Sequence, residues 1–233
     1  MKDYDLYYWP VPFRGQFIRT ILAHAGKTWD EHDAGAVSSE MEAAPGDQKV
    51  PFMGPPMIVD RKTGFTLAEM PAIALYLGET LDLLPDTPEG RALSLKIVCD
   101  ANDVIDELTI DGGREMWTAA TWRDYVPRLK RWMTIWESEG QRNGLTPKAG
   151  HMAGQRTGIA DIVTATLWTT MGERFPPIAK MIEETAPLTW ALSQRVMDTK
   201  AMHDFKAWSD KTFGDAWCGG QIEASLRKVV LKS

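Results

Sequence analysis

The chain has 233 residues, 44% apolar and 25% charged, which is ordinary globular composition, long enough for a sizeable core and between the lengths expected of one domain and of two. Its net charge of −6 argues against a nucleic-acid partner, which would want a basic face. No run of about 18 apolar residues occurs, so no membrane span is expected, and the start MKDYDLYYW lacks the basic and apolar segments of a signal peptide, so a cytoplasmic protein is expected.

Residues 3–9 are aromatic-rich and bounded by Pro10, which fits a short buried strand. From 15 to 25 the apolar residues Phe17, Ile18, Ile21, Leu22 and Ala25 recur at helical spacing, and Gly26 supplies a left-handed stop. Residues 28–33 can form a second strand. The stretch 34–50, rich in Gly, Ala, Pro and Glu, reads as a loop with at most one helical turn. Residues 57–60 and 65–67, joined by Arg61-Lys62-Thr63-Gly64, make a hairpin. A helix over 68–77 follows, closed by Gly78. The whole is a small mixed sheet with helices packed on it.

Residues 79–88 hold two prolines and several turn residues, and read as a linker. Beyond them strand signals fade. Leu93, Ile97, Ala101, Val104, Ile105 and Leu108 form one apolar stripe on a long helix. Further helices are expected over 123–139, 159–171, 177–185 and 188–197, with a shorter one from near Lys200. The expected organisation is therefore an α/β domain over 1–78, a linker over 79–88 and an all-helical domain over 89–233.

Cys99 and Cys218 lie far apart and form no CxxC pair, which excludes a dithiol redox motif. His24, His32, His151 and His203 show no metal-ligand spacing, so no metal is expected. The chemistry, if any, points to the turn Tyr8-Trp9-Pro10-Val11-Pro12-Phe13-Arg14-Gly15-Gln16. It lacks Ser, Thr and Cys, so its one hydroxyl is that of Tyr8. Read by pattern alone, Tyr7, Tyr8 and Trp9 are an aromatic cluster of the kind found in cores. Alternation sets Tyr7 and Tyr8 on opposite faces, so one of them can point into a given cleft.

The order of elements, with Tyr8-Trp9-Pro10-Val11 followed by Arg14-Gly15 and by Arg19 eleven residues after Tyr8, resembles the cytosolic glutathione transferase family, nearest its tyrosine-type, pi-like members. Pro56-Met57-Ile58-Val59-Asp60 resembles the family's strand start with a cis proline. Glu69-Met70-Pro71-Ala72-Ile73 stands where the family has Gln/Glu-Ser-x-Ala-Ile. Gly158-Ile159-Ala160-Asp161 is similar to its capping box.

The resemblance implies a thioredoxin-like domain followed by a helical one, glutathione as co-substrate, and a homodimer. It implies a detoxifying transfer in which Tyr8 stabilises the glutathione thiolate for attack on a hydrophobic electrophile or a peroxide. Such a task suits a phenol, because a donor bonds an anion more strongly than a neutral thiol. It implies contacts to glutathione from Arg14, Lys49, Pro55, Glu69, Met70 and Asp103, the last reaching across the dimer. Arg14 is alternatively a solvated arginine, and Asp103 an exposed helical acid. Arg19 reads as a structural ion-pair partner. Met70 keeps an N–H at a helix start but lacks the family's serine hydroxyl. Pro55 lacks the N–H of the residue before the cis proline, unless Pro55 itself is cis and the register is displaced. The second substrate is expected between the domains, near Val11, Met116 and Trp117. The rival implication is a non-catalytic relative that binds ligands or a protein partner with the same fold.

Overall fold

A computed structural model describes residues 1–109 and 114–231. The N-terminal part runs β1 (Tyr4–Tyr7), α1 (Phe13–His24), β2 (Trp29–His32), α2 (Ala34–Glu42), β3 (Met57–Asp60), β4 (Thr66–Ala68) and α3 (Met70–Thr80). The strands lie in the order β2-β1-β3-β4, with β1 parallel to β2 and the other pairs antiparallel. Tyr7 pairs with Met57, and Met57 pairs with Ala68. The end of β1, the start of β3 and the end of β4 therefore meet at one edge of the sheet.

The pleat sorts the side chains as alternation requires. Tyr4, Leu6 and Tyr8 join the main core with Ile18 and Ile73, whereas Tyr7 joins Val37, Met57 and Ala68 in a second cluster.

The C-terminal part is helical: α4 (Pro88–Leu108), α5 (Ala119–Arg142), α6 (Ile159–Arg174), α7 (Pro176–Thr185), α8 (Pro187–Met197), α9 (Lys200–Phe213) and α10 (Gly220–Val230). Buried along nearly its whole length, α6 packs against α1, α4, α7 and α8, and so binds the two parts together. Gly158 begins α6 because a Cβ there would lie 2.7 Å from the Leu83 carbonyl oxygen. Asp161, fully buried, supplies the cap that glycine cannot: its carboxylate accepts from the amides of Gly158 and Met152 at 2.9 and 2.7 Å.

Several elements differ from their sequence expectation. The stretch after β2 holds the nine-residue α2 rather than a loop, started by Asp33, whose carboxylate accepts from the Ala36 amide at 2.8 Å. Gly78 does not end α3 but lies inside it. A Cβ there would sit 3.0 Å from Leu84 Cγ and 3.1 Å from Ile159 Cδ1, so glycine serves a close approach. Residues 79 and 80 belong to α3 and Pro88 opens α4, which shortens the irregular connection to 81–87. The helix from Lys200 runs 14 residues, and α10 was not expected. No helix among the described residues is long and apolar enough to cross a membrane.

Candidate functional site

The site grows from the start of α1. A helix leaves its first amides without intrahelical partners, and Pro12 at the N-cap provides no side-chain acceptor. The Tyr8 hydroxyl takes that place, accepting from the Arg14 amide at 3.0 Å. Tyr8 is 3% exposed. Burial pushes its phenol up to about 12, against the smaller opposing pull of the Arg14 charge and amide. It therefore stays protonated at neutral pH. Because the oxygen accepts from Arg14, its own proton remains to be donated. The ring fits beneath α1 because residue 15 is glycine: a Cβ there would fall 2.3 Å from Tyr8 Cδ1.

Arg19 holds this turn in place. Its fully buried guanidinium makes two bonds to Glu31, at 2.7 and 2.9 Å, and donates to the carbonyls of Val11 and Pro12 at 2.9 and 3.3 Å. It also lies 5.5 Å from the centre of the Tyr8 ring. Its role is that of the structural ion pair expected from sequence.

Arg14 is bound rather than solvated. It donates to Asn102 at 3.0 Å and pairs with Asp106 at 3.1 Å, which ties the turn to α4. Asp103 stands exposed on the same helix. Partial burial and then the neighbouring Asp100, Glu107 and Asp106 push its carboxyl up.

At the start of β3 the cis bond joins Pro55 to Pro56. Pro55 precedes the cis proline, and without an N–H it can offer a ligand only its carbonyl. The Pro56 carbonyl accepts from the Glu69 amide at 3.2 Å, which brings the two segments together. Glu69 has φ 76° and ψ 120°, a conformation that residues with a side chain rarely take. Met70, 1% exposed, turns its side chain into the main core. Its amide opens α3, and Pro71 beside it has none to add. Lys49 pairs with Glu40, and its ammonium sits 5.2 Å over the Tyr7 ring, which in turn stacks on His32.

Of the expected second-substrate residues, Val11 lies half-buried in the turn and Met116 is 40% exposed. Trp117 is buried in an aromatic group with Trp122 and Tyr125, its indole donating to the Leu108 carbonyl. Sequence reading missed a further wall, the segment 216–219 before α10. The Phe13 amide donates to the Trp217 carbonyl at 3.1 Å, and a Cβ on Gly219 would come within 3.2 Å of Val11. One carboxylate holds this segment. Glu223 accepts from the amides of Trp217, Cys218 and Gly219 and pairs with Arg227. An acid in the first turn after Gly219-Gly220 is the signal that would have found it.

Burial pushes the Glu223 carboxyl up, but the Trp217 and Gly219 amides and Arg227 outweigh it and hold the carboxyl below its ordinary value. A depressed carboxyl contributes stability above its unfolded pKa and loses it as the pH falls through the folded value. Urea melts from about pH 6 to about pH 3 should therefore show a steeper acid loss in the native protein than in Glu223→Gln. Equal slopes would contradict this account.

Residues 93–229 match the sequence-family model described as "Glutathione S-transferase, C-terminal domain". No curated protein matches the chain. Among solved structures, it resembles NaGST-2 at 19% identity and a TM-score of 0.70, over 89% of this chain and 97% of the other. It resembles the glutathione S-transferase from Ascaris lumbricoides at 19% identity and a TM-score of 0.71, over the same shares. At that identity the two structures speak for the fold.

Proposed function

The chain belongs to the glutathione S-transferase family, and from that premise we propose that it binds glutathione at the sheet edge beside Tyr8 and uses the Tyr8 hydroxyl to stabilise the thiolate. The thiol proton leaves to solvent. The sulfur either bonds to the carbon of a hydrophobic electrophile as its leaving group departs with the bonding pair, or takes one oxygen of a peroxide as the O–O bond breaks, giving a sulfenic acid and an alcohol. The observation that carries this reading is the Tyr8 phenol, protonated, accepting from the Arg14 amide and keeping its own proton to donate. A bond of that kind favours the anionic sulfur over the neutral thiol.

In this reading the α3 amide of Met70 and the positive end of that helix receive the γ-glutamyl carboxylate, and Glu69 receives the amine. The Pro55 carbonyl takes the cysteinyl amide, and Lys49 exchanges Glu40 for the glycine carboxylate. Arg14 supplies positive charge beside Tyr8. The proposed unit is a homodimer in which Asp103 faces the partner's site, and the electrophile lies against Val11, Met116 and the wall at Trp117.

The serine hydroxyl missing at Met70 and the N–H missing at Pro55 each cost about 1 kcal/mol of binding, roughly fivefold in affinity. Calorimetric titration with reduced glutathione at neutral pH tests the reading. A dissociation constant at or below the low millimolar range supports it, and no heat at two temperatures rejects it.

A further inference from the structure

The sheet edge proposed to take glutathione already holds a carboxylate of the chain's own. Val37 and Glu40, three residues apart, lie on one face of α2, and Val37 packs with Tyr7, Met57 and Ala68 at that edge. The Glu40 carboxylate pairs with the Lys49 ammonium through one oxygen and accepts from the Lys49 amide at 3.3 Å through the other. Its side chain is 14% exposed. Gln48 fixes the loop beside it. The Gln48 side-chain amide donates to the carbonyls of Glu40 and Phe52 at 3.0 and 3.1 Å and accepts from the Phe52 amide at 3.0 Å. The Tyr7 ring, 5.2 Å away, supports the Lys49 ammonium on a second side, and Tyr7 pairs with Met57, next to Pro56.

An incoming glycine carboxylate therefore meets an ammonium that is already taken. For it to bond Lys49, Glu40 must let go or share. A mostly buried carboxylate that loses its cation is left uncompensated, and two carboxylates at one ammonium repel each other. The exchange trades one charge-assisted bond for another of the same kind and adds those costs. The glycine end then contributes little net affinity. Recognition falls to the γ-glutamyl and cysteinyl parts, which the proposed function assigns to Glu69, Met70, Pro55 and Tyr8.

We propose that Glu40 stands in for the glycine carboxylate in the free protein and is a specificity-determining residue. The thiol co-substrates are γ-glutamylcysteinyl compounds as a class, whether or not they carry a free carboxylate at the glycine position. This inference rests on the glutathione reading given above.

Calorimetric titration with glutathione and with its glycine ethyl ester, on the native protein and on Glu40→Gln, tests the proposal. The two compounds are expected to bind the native protein within about threefold of each other. In Glu40→Gln, which frees the ammonium, glutathione should tighten about tenfold while the ester stays as it was. The native comparison needs no variant and stays decisive should Glu40→Gln fail to fold. Heat from both compounds with a larger native preference for glutathione overturns the inference alone, as does a gain in Glu40→Gln that is absent or shared equally by the ester. No heat from either compound rejects the glutathione reading and this inference with it.

Discussion

A Tyr8→Phe variant is expected to raise the thiol pKa of bound glutathione by about two units, toward the free value near 8.5, and to lower kcat/KM near pH 6.5 by roughly ten- to a hundred-fold. The phenol loses only its oxygen, so the ring continues to fill the space beneath α1 that Gly15 leaves open. What disappears is the donor that the proposed function assigns to the sulfur. The thiolate fraction then falls with each unit of pKa, until the pH exceeds both values and the two enzymes converge. The variant's rate should therefore climb through about pH 8.5, where the native rate has already levelled. A second cost is separable. The Arg14 amide loses its acceptor in a partly buried place, which lowers stability by about 1 kcal/mol. Spectrophotometric titration of bound thiolate and a pH–rate profile, with a melting curve as control, check both. An unchanged thiol pKa and unchanged turnover would remove Tyr8 from the mechanism.

Arg19→Ala is expected to cost about 3–5 kcal/mol of folding free energy, the largest single loss of stability foreseen in the chain. The guanidinium is fully buried, whereas Glu31 is 29% exposed. Removing the cation leaves a cavity and strips the carbonyls of Val11 and Pro12 of their donor. The carboxylate, nearer water, rehydrates in part. Because those carbonyls belong to the turn that carries Tyr8, activity should fall along with stability. Arg19→Lys should rescue little, since a single ammonium cannot make two parallel bonds to Glu31 and reach the turn as well. Urea denaturation at neutral pH measures the effect, and a loss below about 1 kcal/mol would show the pair to be dispensable.

Legibility varied with how local each signal was. The hairpin at Arg61–Gly64 and the apolar stripe from Leu93 to Leu108 depend on neighbours a few residues away, and both were plain in the sequence. The helix α2 was not, because Val37 is its one buried residue and a single apolar position makes no period. What holds α2 there is the Asp33 cap and the contact of Val37 with Tyr7, Met57 and Ala68 across the sheet. Gly78 misled for the opposite reason. A glycine near a helix end reads as a stop, and its true use is room for Leu84 and for Ile159, the latter 81 residues further along the chain (159 − 78).

The candidate site divides in the same way. Tyr8 stood out in the sequence as the turn's only hydroxyl, and its ring proved to be core while its oxygen serves the helix start. That a glycine takes the α6 N-cap and that Asp161 completes it were also readable, since both lie within one turn.

By itself, the sequence determined the order of the strands and of the helices other than α2 and α10, the hydroxyl available at the first turn and the absence of a dithiol motif. These are properties of residue type and short spacing. The tertiary structure alone decided that Arg14 is gripped by Asn102 and Asp106, 88 and 92 residues away. It also decided that Pro56 rather than Pro55 follows the cis bond, and that Trp217 closes on Phe13 under the hold of Glu223. The physical reason is that each of these contacts joins groups that only packing brings within about 3 Å, the reach of a hydrogen bond, and no local pattern specifies which distant partner will be there.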